Sequence, residues 1–213
     1  MSWHCCLAQV SLKGLVNFPR ITNAPRMTKK CYCETCSKCK LMRKPFTQNT
    51  ISHAAEPLPL VHSDICSPLD TAIRGGQYML HFIYDTTRHT DEYILKYNSD
   101  ALQKFKEWKA VGGKVSCKQV KRFRTDGGGD YSSKKSREYL KSEMILKETT
   151  TPYTLQTNRV IEQTNCTIMQ SAPCMLDDAR HSWKYWIIAV SVEVYLKNHI
   201  LIQLAVSKTP YEA

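Results

Sequence analysis

The amino-acid sequence predicts an α/β fold for most of this 213-residue chain. Short runs rich in β-branched and aromatic residues come between longer segments whose apolar residues recur at helical spacing. The segment Arg122–Tyr131 has a strand-like start, then Asp126, then three glycines that permit a tight turn. Because open α/β sheets place their chemistry at the carboxyl ends of strands, we expect the chain to be organised around this segment.

The strand predictions rest on short apolar runs bounded by turn residues or charges. Five segments meet this description: Leu60–Ile65, Tyr78–Tyr84, Glu92–Lys96, Lys118–Arg124 and Ile145–Glu148. The pair Gly75-Gly76 marks the turn before the second strand. Asp64 ends the apolar part of the first strand, and Asp126 follows directly after the fourth.

The helix predictions rest on apolar residues three or four positions apart. Four segments are predicted to be helical: Ala101–Val111, Ser133–Met144, Val160–Leu176 and Trp183–Ile200. The pair Gly112-Gly113 is expected to end the first of them. Pro173 stands inside the third helix, where a proline costs about 3 kcal/mol.

The first 46 residues are predicted to be a separate unit, followed by a linker at 47–59 and a core domain at 60–213. Cys33 and Cys36 form a Cys-x-x-Cys pair, which supplies two thiolates from one turn, the usual half of a tetrahedral zinc site. A segment this small has little core, so a metal would normally hold it together. Ten cysteines without a secretory signal indicate free thiols or metal ligands in a reducing compartment.

The charge of the chain points to an anionic partner. Its formal net charge is +11, with 30 Lys and Arg residues against 19 Asp and Glu. Basic residues recur in clusters at 29–30, 38–44, 104–109, 118–124 and 134–137, and contacts with nucleic-acid phosphates account for them better than ordinary solvated surface. The most apolar stretch, Trp186–Leu196, is too short to span a bilayer. We therefore expect no membrane partner, and a location in the nucleus or cytoplasm.

Four motifs occur in a fixed order along the chain: Leu60–Leu69, Thr125–Tyr131, Thr151–Asn158 and Lys208–Ala213. Together they closely resemble the integrase of copia-type LTR retrotransposons, and the resemblance runs from Trp3 to Ala213. It implies a ribonuclease-H-like core, with a mixed five-stranded sheet flanked by helices. The core would follow a GAG-pre-integrase zinc-finger-like segment within a Pol polyprotein. The implied activity is metal-dependent phosphodiester hydrolysis and DNA strand transfer.

By this resemblance Asp64, Asp126 and Glu162 are the catalytic acids and the ligands of Mg²⁺ or Mn²⁺. Carboxylates are hard oxygen ligands suited to these ions. Two ions about 4 Å apart would clamp the attacking and leaving oxygens of a phosphodiester. The nucleophile would be water when DNA ends are trimmed, and a DNA 3′-hydroxyl when they are joined to a target.

The resemblance also implies a zinc site of two histidines and two cysteines in the first unit. His4, Cys33 and Cys36 match three of these ligands, but the second histidine is replaced by Gln9, a poor zinc ligand. Neighbouring thiols offer substitutes away from the expected position: Cys5, Cys6, Cys31 and Cys39. The alternative is that all of these cysteines are free. We expect weak zinc binding or none.

The expected partner is double-stranded DNA, both the element's own ends and the target, with a homo-oligomer if the chain is active. Tyr153, Gln156 and Asn158 match integrase positions in the loop before the catalytic helix. The two amides either contact DNA or cap the helix, and the tyrosine either stacks on a base or packs. Lys121 and Arg122 are the basic residues expected to contact phosphates.

The sequence departs from the integrase pattern beside the retained acids. Gly127 replaces the asparagine after the second acid, Arg159 replaces a glycine, and Gln163 replaces the arginine after Glu162. A side chain in place of a glycine that approaches DNA closely costs of order 1–3 kcal/mol. Two main hypotheses therefore stay open: an active integrase fragment, and an inactive remnant that only binds nucleic acid. A stand-alone nuclease of the same fold is a third.

Overall fold

The computed structural model describes residues 60–66, 69–115, 120–126, 131–149, 159–200 and 208–212. The side chains of residues 112–115 and of residue 159 are not among those described. The predicted zinc-finger-like segment at 1–46, the predicted linker at 47–59 and the residues Tyr153, Gln156 and Asn158 lie outside these described residues.

The described residues form five strands and four α-helices. The strands are β1 Leu60–Cys66, β2 Tyr78–Tyr84, β3 Thr90–Leu95, β4 Arg122–Thr125 and β5 Leu146–Thr149. The helices are α1 Ala101–Val115, α2 Lys134–Ser142, α3 Arg159–Asp178 and α4 Trp186–His199. Short 3-10 turns at Asn98–Asp100 and Trp183–Tyr185 lead directly into α1 and α4. All five predicted strands and all four predicted helices are present.

The strands form one mixed sheet in the order β3-β2-β1-β4-β5. β1 pairs antiparallel with β2, and β2 pairs antiparallel with β3. β1 pairs parallel with β4, and β4 pairs parallel with β5. The predicted fold class, an α/β mixed five-stranded sheet flanked by helices, is therefore confirmed.

The two largest errors in the predicted boundaries are of four residues each. The helix α1 continues through Gly112-Gly113 to Val115, because a glycine keeps its backbone N–H and lowers helix propensity by only about 1 kcal/mol. The fourth strand begins at Arg122 rather than at Lys118, and Lys121 precedes it. The alternation of charged and apolar residues in this segment hid where the pairing with β1 starts.

Helices cover both faces of the sheet. On one face, aromatic side chains of the sheet and α1 pack together, with Phe82 stacked on Trp108 at 4.5 Å and Phe105 against Phe123 at 4.4 Å. On the other face, Met79 of β2 packs with residues of α3 and α4, including the fully buried Trp186. Because successive strand residues point to opposite faces, Met79 and Phe82 serve different cores. This arrangement fixes α3 against the sheet.

Pro173 lies inside α3, as the sequence predicts. It lacks the N–H that would bond to the carbonyl of Met169 one turn earlier, and its ring crowds that carbonyl. Pro173→Ala should raise the unfolding free energy by about 1–3 kcal/mol, measured by urea denaturation. Cys166→Ala, at an exposed position of the same helix, is the control and should change it by less than about 0.5 kcal/mol. An unchanged stability in Pro173→Ala would mean that α3 has already adapted its path to the proline.

Candidate active site

The parallel pairing of β1 with β4 ends next to two acids, Asp64 inside β1 and Asp126 directly after β4. Buried Ser63 of β1 is paired with buried Thr125 of β4, and the next residue after each of them is an aspartate, Asp64 or Asp126. Neighbouring strands are about 4.8 Å apart, and paired residues of parallel strands share a face of the sheet. Both acids are partly buried. Asp64 and Asp126 are therefore neighbours at the point where the pairing of the two central strands ends.

The third predicted acid, Glu162, lies on α3, and the start of this helix packs beside Asp64. Glu162 is in the first turn of α3, and its side chain is exposed. Asn165, three residues later, donates a hydrogen bond from Nδ2 to Oδ2 of Asp64 at 2.7 Å. Residues three apart lie on the same side of a helix, so Glu162 belongs to the side of α3 that contacts Asp64.

The structure thus brings together Asp64, Asp126 and the first turns of α3. It does not gather the three acids closely: within the described ranges, no three His, Cys, Asp or Glu side chains are close enough to hold a metal ion. The convergence of Glu162 on the two aspartates stays a prediction.

A buried histidine contacts the far side of the Asn165 amide. His81 stands directly opposite Asp64 in the pairing of β1 with β2, and its Nδ1 lies 2.7 Å from Oδ1 of Asn165. Burial lowers the pKa of His81 from its ordinary value of 6.5 to about 4. The hydrogen bond to Asn165 opposes this shift, and the positive charge of Lys197 adds to it. The imidazole is therefore neutral at pH 7.

A lysine from α4 supports the same region from behind. Lys197 Nζ donates to Thr164 Oγ1 at 2.7 Å and to Thr90 Oγ1 at 3.2 Å, which links α4 to α3 and β3. Burial lowers the pKa of Lys197 to about 8, although the negative charge of Glu193 opposes the shift. These bonds hold the start of α3 in place through Thr164, the residue next to Asn165.

A second lysine stands near Asp126. Lys147 of β5 donates from Nζ to the backbone carbonyl of Tyr131 at 2.7 Å, and the hydroxyl of Tyr131 bonds to Ser63 Oγ at 3.2 Å. Burial and the charge of Arg137 lower the pKa of Lys147, while the carboxylate of Asp126 opposes this change. The ammonium of Lys147 therefore lies within electrostatic reach of Asp126.

The two basic residues predicted to contact DNA have different surroundings. Lys121 is exposed, directly before β4. Arg122 and Arg124 both form ion pairs with Glu148 of β5, and Arg124 Nη2 lies 2.7 Å from Glu148 Oε2. Although burial opposes it, the hydrogen bonds and charges of the two arginines lower the pKa of Glu148. The Arg122 side chain thus forms an ion pair within the sheet, whereas the Lys121 side chain is exposed to solvent.

Sequence reasoning missed three residues of this site. Asn165 could have been found from its position three residues after Glu162 on one helix side. His81 belongs to no sequence motif, and its contact with Asn165 depends on a strand register that no local pattern reveals. Lys147 stood in the short fifth strand, outside the basic clusters.

The chain is similar over nearly its whole length to transposon polyproteins. It is 34% identical over 200 residues to the retrovirus-related Pol polyprotein from transposon TNT 1-94 of Nicotiana tabacum, across 92% of this chain and 15% of that protein. It is 28% identical over 214 residues to the corresponding protein from transposon RE2 of Arabidopsis thaliana, across 99% of this chain and 14% of that protein. The chain therefore spans a small part of the polyproteins it matches. No protein-family model matches it.

A solved structure shares the fold. The cryo-EM structure of the simian T-cell lymphotropic virus intasome in complex with PP2A regulatory subunit B56 gamma matches with a TM-score of 0.60 at 18% identity. The match covers 84% of this chain and 62% of that chain. Within the residues that the structure describes, no helix has the length and apolar character needed to cross a membrane.

Proposed function

We propose that this chain, a homologue of the retrovirus-related Pol polyproteins of copia-type transposons, is an integrase fragment that joins DNA ends to target DNA by metal-dependent strand transfer. The observation that supports the proposal is the pairing of Ser63 with Thr125, after which Asp64 and Asp126 are the next residues of two adjacent central strands. Two adjacent carboxylates suit the binding of a hard divalent cation.

The donor set fits Mg²⁺ or Mn²⁺ by its chemistry. Asp64 and Asp126 would supply two oxygen ligands, and Glu162 would supply a third from the side of α3 that contacts Asp64. A bound ion of this kind would make the attacking water or hydroxyl more acidic and would stabilise negative charge on the leaving oxygen. Among the protein's own groups, Asn165 would hold the carboxylate of Asp64 in a fixed direction.

Basic residues would hold the DNA. Lys147 of β5 lies near Asp126, and Lys121 is exposed directly before β4. With a net charge of +11, the chain would bind duplex DNA mainly through its phosphates and with little sequence preference. The element's ends and the target are the proposed ligands, and Tyr153, Gln156 and Asn158 remain candidates for contacts with them.

The alternative function is that of a nucleic-acid-binding remnant without catalysis. It is favoured by Arg159 and Gln163, the residues that depart from the integrase pattern on either side of Glu162, and by the exposure of the Glu162 side chain. For the first unit, we propose that His4, Cys33 and Cys36 bind zinc weakly or not at all. Zinc analysis of the purified chain would correct this if it found one tightly held ion per molecule.

A strand-transfer assay on short duplex ends should separate the two functions. With Mn²⁺ we expect joined DNA products, and without a divalent cation we expect none, because the acids alone cannot stabilise charge on the reacting phosphate. DNA binding is measured in parallel over a series of salt concentrations. The logarithm of affinity should fall with the logarithm of salt concentration at about −0.9 per phosphate contact. Salt-dependent binding without any joined product would leave only the binding function.

A further inference from the structure

The side-chain amide of Asn165 lies between the carboxylate of Asp64 and the buried imidazole of His81. Its Nδ2 lies 2.7 Å from Asp64 Oδ2, and its Oδ1 lies 2.7 Å from His81 Nδ1. Asp64 and His81 are themselves opposite each other on β1 and β2. The side chains of Asp64, Asn165 and His81, from β1, α3 and β2, thus form one hydrogen-bond network that extends from the interior to the candidate active site.

Each group in this hydrogen-bond network has a fixed role as donor or acceptor. An ionised carboxylate only accepts hydrogen bonds, so the NH₂ group of Asn165 must face Asp64. The amide oxygen then faces His81, and Nδ1 of the imidazole must carry the proton that it donates. The opposite amide orientation would bring the oxygens of Asn165 and Asp64 together at 2.7 Å and would leave the fully buried His81 facing an NH₂ group.

The surroundings of Nε2, the other ring nitrogen of His81, are consistent with a proton on Nδ1. Nε2 is buried, and no hydrogen-bond partner for it occurs in the described part of the chain. The ammonium of Lys197 acts on the imidazole electrostatically and disfavours a further proton. An unprotonated Nε2 and a protonated Nδ1 are therefore the favoured tautomer.

We propose that His81 is a positioning residue, which orients the amide of Asn165 and through it the carboxylate of Asp64. The inference rests on the proposed function, in which Asp64 binds the divalent cation. Rotation of the Asn165 amide would break both hydrogen bonds in a site where burial makes an unpaired group costly. The neutral imidazole therefore locks the direction of Asp64 without contacting the cation or the DNA.

Two substitutions at His81 separate positioning from packing. In His81→Asn the amide nitrogen occupies nearly the place of Nδ1 and can still donate to Asn165 Oδ1. In His81→Gln the amide nitrogen falls near the place of Nε2 and cannot. Both variants lose the ring, so a purely structural role would affect them alike. Thermal unfolding of each variant monitors the structural cost.

The readout is the affinity of the purified chain for Mn²⁺ alone, by calorimetric titration. Loss of a group that orients a metal ligand typically weakens affinity by 10–100-fold. We therefore expect His81→Gln to weaken Mn²⁺ binding roughly tenfold, and His81→Asn to stay within about threefold of the parent chain. Equal affinities in the two variants would overturn the proposal.

A second measurement needs neither a variant nor a metal. Nitrogen NMR of histidine-labelled parent chain at pH 7 reports which imidazole nitrogen carries the proton. A proton on Nδ1 of His81 supports the hydrogen-bond network, and a proton on Nε2 overturns it even if both variants fail to fold.

Asp64→Asn distinguishes this inference from the proposed function. If that change leaves Mn²⁺ affinity unaltered, Asp64 is not a cation ligand and the proposed function is wrong at this residue. If it lowers the affinity while His81→Gln does not, the function stands and the positioning role of His81 is rejected.

Discussion

Asp126→Asn should abolish strand transfer and leave duplex DNA binding intact. The change removes one of the two carboxylates that follow the pair Ser63 and Thr125, and with it a proposed oxygen ligand for the cation. Metal ions stabilise charge at a reacting phosphate by several kcal/mol, so the joining rate should fall roughly a thousandfold or more. DNA affinity should stay equal or rise slightly, because a negative charge near an anionic ligand is lost. Joined products and DNA affinity are measured on the same preparation.

The matched control for this change is Asp177→Asn. Asp177 is also an aspartate, but it is exposed near the last turn of α3, about 22 Å along the helix from Glu162. This variant should join DNA at the rate of the parent chain. Joining at the parent rate by Asp126→Asn would remove this residue from the active site, whatever its position beside Asp64.

Trp186→Ala should cause the largest loss of stability among single changes in the α3/α4 layer. Its side chain is fully buried between the sheet and α3, and Nε1 donates to the backbone carbonyl of Asp70 at 2.8 Å. Truncation of a buried tryptophan leaves a large cavity and costs about 3–5 kcal/mol. Since domains of this size are stable by only about 5–15 kcal/mol, urea denaturation should show a clearly lower midpoint.

Trp183→Ala is the control for this second change. Trp183 lies three residues earlier in the 3-10 turn and is only partly buried, so its truncation should cost less, about 1–2 kcal/mol. Equal losses in the two variants would show that Trp186 is no more important to the packing of α4 than its neighbour.

Local patterns were enough to predict most of the fold. β2 was predicted at its observed bounds, Tyr78–Tyr84, because a short run of apolar and aromatic residues that follows a Gly-Gly turn is typical of a buried strand. β4 was predicted too long because its basic residues alternate with apolar ones well before pairing begins. The end of α1 was missed because a Gly-Gly pair weakens a helix without stopping it.

The site was predictable only in part, for a physical reason. The position of Asp126 directly after a strand could be predicted from the apolar run before it, whereas β1 continues past Asp64 to Cys66. The contacts of Asn165 and His81 instead depend on how β2 aligns with β1 and where α3 docks. Those are long-range contacts between residues far apart in sequence, and hydrophobic periodicity carries no information about which polar groups meet.

The central position of β1 has a consequence for folding. β1, β2 and β3 follow one another and pair as an antiparallel meander, whereas β4 reaches β1 from about sixty residues further along the chain. A folding intermediate with only the meander would contain Asp64 opposite His81, but its neighbour Asp126 would still belong to an unpaired segment. The acid pair therefore forms only after β4 has paired with β1, which is the strand pairing with the largest sequence separation among the described residues.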